Sequence, residues 1–292
     1  MKTRRAGHDI VACDTCDVLG EGPIWDPRVR RLVWLDIERA MVHTVDPDHG
    51  DAETQQVTDG ITALGLRASG GYVVAARTGL GFWDRGAAEA EVVEHPERDR
   101  VDGRFNDGAV DPWGRFWAGS AGPGSSSALY RMDPDRSVTR IRTGVTVSNG
   151  IDWSPDARTM YFTDSRRHIV TAFDLDPSDG TIVGERVFVS TEGEPGVPDG
   201  LTVDDEGCVW SVRWGGAAVY RYDPVGRLDR VIPLPVRYPT SCAFGGTMLD
   251  LLFVTSASAP YVPEDRSQQP LAGALLCVQP DAHGQQLNSF AG

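Results

Sequence analysis

The sequence predicts a single all-β domain over residues 1–292, a six-bladed β-propeller, and three observations carry that prediction. Six short β-rich runs recur: Arg31–Asp36, Gly71–Ala76, Arg115–Ala118, Met160–Asp164, Cys208–Val212 and Leu251–Thr255. They lie roughly 40 to 50 residues apart, the spacing of propeller blades. No segment between them carries the 3.6-residue apolar period of a long helix, and Gly and Pro are scattered along the chain instead of gathered at one linker.

Each predicted blade adds a later strand that ends in an acidic turn. These are Met41–Asp46, Ala128–Asp133, Val170–Asp176 and Ala218–Asp223, each followed by proline. Proline fixes φ and donates no hydrogen bond, so Asp-Pro reads as a structural turn. A ring of blades must also join its ends. The first strand, near Asp9 to Cys16, is therefore expected to complete the blade that holds Leu275–Val278, which removes an open sheet edge.

Composition narrows the function. The net charge of −14 argues against nucleic acid or an anionic membrane as partner, since both are bound by clustered cations. Lys2 is the only lysine, which removes Schiff-base and P-loop lysine chemistry together. No apolar run approaches the ~20 residues that span a bilayer. The segment Met1–Ile10 has basic residues but no apolar stretch behind them, so it does not read as a secretory signal, and a cytoplasmic location follows. Cys13 and Cys16 form one CxxC without a second pair or a βαβ context, and they read as bystander thiols. Cys208, Cys242 and Cys277 sit in apolar, strand-like runs and read as buried small hydrophobes.

The informative feature is a slot at the start of the innermost strands. Glu21-Gly-Pro-Ile-Trp-Asp26 aligns without gaps on Asn106-Asp-Gly-Ala-Val-Asp111, on Asn149-Gly-Ile-Asp-Trp-Ser154 and on Asp199-Gly-Leu-Thr-Val-Asp204. Innermost strands line the central channel, so one repeated slot maps to a ring around the axis. Two carboxylates and two amide carbonyls meeting there make an oxygen cage suited to one divalent cation. The alternative is that Asn-Gly and Asp-Gly are hairpin turns. Against it, the remaining blades offer Thr62 or Ala63, and Ser241, instead of turn residues.

At these residues the chain resembles the gluconolactonase, regucalcin (senescence marker protein) and luciferin-regenerating-enzyme family. The matching stretches are LGEGPIWDP, RFNDGAVDPWGRFWAGS, VSNGIDWSPDARTMYFTDS, PDGLTVDDEGCVWSV and PTSCAFGG, in order from Leu19 to Gly246. The resemblance implies a six-bladed propeller with its metal held by a Glu, an Asn and an Asp, here Glu21, Asn149 and Asp199. It also implies substrate contacts from Arg104 and Asn106, which leaves Asn106 between ligand and substrate contact. Calcium, magnesium, manganese, zinc and iron all remain open as the ion. One stretch departs from the regucalcin-like pattern. The loop that carries a substrate-binding acid in such proteins reads Ser120-Ala-Gly-Pro-Gly-Ser-Ser-Ser127 here, without an acid.

The expected activity is metal-dependent hydrolysis of a small sugar lactone to its aldonic acid by a monomer or small homo-oligomer. The metal would polarise the carbonyl and activate water, Arg104 and Asn106 would orient the sugar, and Asp199 would serve as ligand and general base. The rival readings are hydrolysis of another ester such as an organophosphate, and a non-enzymatic metal-binding propeller. The six histidines show no HExxH and read mostly as surface residues, and there is no GxSxG nucleophile. Trp25, Trp117, Trp153 and Trp210 read as packing between sheets. Asp152 and Asp164 either flank the channel mouth or, the preferred reading, are turn or solvent-facing acids.

Overall fold

Six antiparallel sheets follow one another along the chain, and the recurrent runs of the sequence are their second strands. The computed structural model describes residues 11–77, 79–100, 102–259 and 265–292. The innermost strands, blade by blade, are Gly20–Asp26, Ile61–Arg67, Arg104–Val110, Ser148–Trp153, Val197–Val203 and Pro239–Gly245. Each leads a four-stranded meander, and the second blade carries Ser289–Phe290 as a fifth strand against its innermost one. The architecture is the six-bladed propeller that the repeat predicts.

Ring closure also follows the expectation. Val11–Cys13 pairs antiparallel with Leu275–Val278 and becomes the outermost strand of the sixth blade. Asp9 and Ile10 of the expected closing segment lie outside the described residues.

Apolar residues pack between neighbouring blades in separate clusters, as alternating strands require when both sheet faces are covered. Trp25, Trp117, Trp153 and Trp210 are all buried within these clusters, and Trp117 stands edge-on to Trp153 at 6.1 Å. Burying each contributes on the order of 3 kcal/mol or more, judged by what truncating a core tryptophan costs. A second repeated device pins the indoles. Asp111 accepts a hydrogen bond from Trp117 Nε1 at 2.8 Å, and Asp204 accepts one from Trp210 Nε1 at 2.9 Å. The same carboxylates take the Trp113 and Cys208 amides of the intervening turns, so each fixes its hairpin and its core tryptophan together.

The Asp-Pro turns behave as read: the Asp46, Asp176 and Asp223 carboxylates each accept the amide two residues on, at 2.9 to 3.0 Å. Cys208 and Cys242 are buried, whereas Cys277 is only half-buried. Cys13 packs against Trp25, Leu32 and Trp34, and burial, with Asp17 and Asp14 nearby, pushes its thiol up to about 12. A thiol held protonated in this way is inert. Three acidic or basic side chains are more deeply placed than the sequence suggested. His43 is buried, stacked on Trp34 at 5.0 Å, with Nε2 3.2 Å from Asp17 Oδ1. Asp164 is buried and caps the Thr146 and Val147 amides. Asp152 lines the channel.

The far end of the channel is covered by residues 283–292. The His283 carbonyl accepts from the Asp205 amide, and the Gly284 amide donates to Leu249 O. Gln285 Nε2 donates to Trp153 O at 2.7 Å, and Asn288 Nδ2 to Val110 O at 3.2 Å. Ser289–Phe290 then runs parallel to Leu66–Arg67, with Phe290 fully buried. In ten residues this tail touches five of the six blades. Among the described residues no helix is long and apolar enough to cross a membrane.

Candidate metal centre and active site

Every innermost strand breaks register near its start. Two residues face one across the ladder between Glu21 and Ile24, Phe105 and Gly108, Ser148 and Ile151, and Pro198 and Leu201. A β-bulge of this kind re-aims a side chain without ending the strand, and here it falls at or beside the aligned slot. Asn-Gly and Asp-Gly are thus not hairpin turns: Asn149-Gly150 and Asp199-Gly200 lie inside strands Ser148–Trp153 and Val197–Val203. The glycines have another cause. A Cβ on Gly150 would stand 2.3 Å from Leu201 N, and one on Gly200 2.2 Å from Ser241 Oγ, because adjacent inner strands crowd together around the axis.

Glu21, Asn106, Asn149 and Asp199 are all buried, and the channel brings them into one electrostatic neighbourhood. Burial raises the Glu21 carboxyl to about 8, and the Asp107 carboxylate adds to the rise; the Gly22 amide and Arg104 oppose it. Asp199 is held well above the carboxylate range by burial, by Glu21 and by Asp107, with Asn149 and Arg104 opposing. Neighbouring buried acids whose pKa values are raised in this way are a frequent mark of a functional site.

The amides are oriented by neighbours. Asn149 Nδ2 donates to Ser165 Oγ at 3.1 Å, which turns Oδ1 inward. Asn149 Oδ1 and Asp199 Oδ1 are both buried with no hydrogen-bond partner. Unpaired buried acceptors are costly, and a hard cation satisfies them together with the two carboxylates. The residues present therefore fit a divalent ion. Asn106 differs. Its Nδ2 donates to Ser148 O at 2.8 Å, and its Oδ1 already accepts from Arg104 Nη1 at 2.6 Å. Arg104 itself is largely buried, and burial lowers its pKa against the pull of Glu21, Glu38 and Asp199.

Below this ring the channel holds two acids that the alignment did not single out. Asp107 and Asp152 both line it, among Ile24, Leu64, Ile151 and Leu201. Burial lifts the Asp107 carboxyl to about 6, against a hydrogen bond from the Gly108 amide. The signal for it was present: Asp107 stands where three other blades place Gly22, Gly150 and Gly200. Burial lifts Asp152 to about 6 as well, against the Trp153 and Val203 amides and the Thr202 hydroxyl. The folded state thus binds this proton more tightly than the unfolded chain, whose ordinary value is 3.8. Stability from Asp152 is greatest at low pH and is lost as pH rises through about 6, at a cost on the order of 2 kcal/mol. Asp152→Asn should accordingly raise the melting temperature by several degrees at pH 8 and by clearly less at pH 4.5, read by calorimetry. An equal change at both pH values would show that the carboxyl is solvated.

Among the described residues, Asp204, Glu206 and Cys208 also bring ligand atoms within 4.8 Å of one another. Arg221 already neutralises that group, with Nε and Nη2 2.9 and 2.7 Å from Asp204 and Nη2 on Glu206 as well.

A family model, the SMP-30/Gluconolactonase/LRE-like region, matches residues 19–258. The chain belongs to that family. It is 34% identical over 278 residues to a 6-deoxy-6-sulfogluconolactonase of Pseudomonas putida, covering 94% of this chain and 96% of the relative. It is 36% identical over 282 residues to the pentonolactonase XacC of Haloferax volcanii, covering 93% and 94%. Among solved structures, the calcium-binding protein regucalcin of Agrobacterium tumefaciens superposes with a TM-score of 0.93 at 27% identity, over 97% of each chain. The matched residues 19–258 include all of Glu21, Arg104, Asn106, Asn149 and Asp199.

Proposed function

We propose that the chain is a metal-dependent aldonolactonase that binds one divalent cation through Glu21, Asn149 and Asp199. The observation that carries this reading is the pair of orphaned, buried oxygens on Asn149 and Asp199, set beside a second buried carboxylate. The lactonase relatives of the family point to the substrate class, and the calcium-binding structural neighbour is consistent with an oxygen-ligated ion.

A divalent cation in this cage supplies Lewis-acid polarisation of an ester carbonyl and eases deprotonation of water. The side chains do the rest. Arg104 and Asn106 are tied to each other at 2.6 Å, so a sugar hydroxyl that engages one is presented to both, which fixes the ring over the slot. Asp199, a ligand through Oδ1, takes the proton of the attacking water through its carboxylate. Water adds to the lactone carbonyl carbon, the bond to the ring oxygen breaks, and that oxygen gains a proton to leave the open aldonic acid. Glu21 completes the charge balance of two carboxylates against one divalent ion.

A pH-indicator assay of several aldonolactones tests this, with protein treated with EDTA and then given calcium, magnesium, manganese, zinc or iron(II) in turn. Opening that disappears with chelator and returns with at least one ion is the expected result. No opening of any lactone by metal-loaded protein would instead favour a binding propeller.

A further inference from the structure

The mouth of the channel above the slot carries two arginines whose charge is poorly answered. Arg77 follows the strand Tyr72–Ala76 of the second blade, and Arg104 opens the innermost strand of the third. The two blades are tied there, since the Phe105 amide donates to the Arg77 carbonyl at 3.3 Å. Arg104 commits Nη1 to Phe105 O and Asn106 Oδ1; among the described residues its Nε and Nη2 have no hydrogen-bond partner. Among the described residues Arg77 reaches only Glu38, at 3.8 Å, beyond hydrogen-bond length, with both side chains nearly half exposed. Its charge acts on Arg104 in the same direction as burial, in keeping with the backbone bond that joins the two blades at this end of the channel.

Glu21 and Asp199 also face Arg104; a divalent cation between them would offset their charge, leaving Glu38 as the acid nearest the two arginines at the mouth and Asp107 deeper in the channel. Across the mouth, the loop 120–127 supplies serines and no acid, and the exposed Arg166 reaches its Gly122 carbonyl at 3.3 Å. Arg100, which also reaches that loop, is engaged by Glu97 and by Ser120, Ser126 and Ser127. Adjacent guanidinium groups with spare N–H donors are the arrangement that receives an oxyanion, because each offers a planar fork that matches its oxygens.

We propose that Arg77 and Arg104 form an oxyanion-binding pair that selects lactones bearing an anionic substituent (a sulfonate, phosphate or carboxylate) at the end remote from the ring carbonyl. The inference rests on the lactonase reading and names the substrate class of that same site. Arg77 is the specificity-determining member, since Arg104 also holds Asn106.

The test compares metal-loaded wild type, Arg77→Gln and Arg77→Lys on glucono-1,5-lactone and on the same lactone carrying a sulfonate, phosphate or carboxylate at C6. The readout is the ratio of kcat/KM for each anionic lactone to that for the neutral one. Wild type should favour at least one anionic lactone by about tenfold or more, and the best of the three identifies the oxyanion. In Arg77→Gln that ratio should fall about tenfold, through KM, while Arg77→Lys restores part of it and added salt compresses it. Because Arg77 is exposed, all three proteins should melt together. A wild type that opens the neutral lactone as well as every anionic one, or a ratio unmoved by Arg77→Gln, overturns the oxyanion pair and leaves the lactonase standing. Failure to open any lactone, neutral or anionic, overturns both.

Discussion

Asp199→Asn is expected to lower kcat for lactone opening by about a thousandfold or more while raising the melting temperature of the metal-free protein. The two effects have one cause. Asp199 is a buried carboxylate that burial, Glu21 and Asp107 together make hard to ionise. An amide of the same shape removes that repulsion, so the fold gains when no ion is present. On the proposed mechanism it also removes a ligand charge and the group that takes the proton, and a thousandfold loss corresponds to about 4 kcal/mol of transition-state stabilisation. Added metal, which stabilises the wild type by binding the folded state, should stabilise the variant far less. Paired measurements, activity in the indicator assay and melting with and without EDTA, separate this from simple damage to the fold. A variant that is inactive and also less stable without metal would instead make Asp199 a structural residue.

Deletion of residues 284–292 should have the largest effect on stability. The segment ties blades two, three, four and six through backbone and side-chain hydrogen bonds, and it buries Phe290 fully, 5.9 Å from Phe82. Losing a buried phenylalanine alone costs about 3 to 5 kcal/mol, and the deletion also strips the edge of Leu66–Arg67 and uncovers the channel floor. For a chain of this size that predicts a fall in melting temperature of about 10 °C or more, or loss of soluble protein. Phe290→Ala keeps the hydrogen bonds and isolates the packing share, so it should show an intermediate fall. A deletion that melts with the wild type would mean that the blades hold one another without the strap.

Much of this was legible in the sequence because a repeat projects itself onto the ring. The second strands of the blades could be read from their β-rich runs, and the residue types at Glu21, Asn149 and Asp199 broke an apolar pattern at one register. The bulges that aim those side chains were not legible, since a two-against-one ladder depends on the partner strand. For the same reason Asn149-Gly150 and Asp199-Gly200 invite a turn reading, although their glycines answer crowding from Leu201 and Ser241. Asp152 looked like a turn acid because Ser154-Pro155 follows it closely, yet it faces inward from a strand. His43 finds Asp17 only once the chain has returned on itself. The tail was invisible: Leu287 and Phe290 are its only large apolar residues, too few for a periodic signal. Arg77 lies in a short turn, where only the neighbouring blade reveals what it faces.

Residues 285–288 line the lower end of the channel, so on the proposed reading the slot is reached from the opposite face. An acid formed at the slot would then leave past the Arg77 and Arg104 guanidinium groups before the next lactone enters. Accumulated product should therefore compete directly with substrate, and an anionic aldonate should linger longest where the entrance is most cationic.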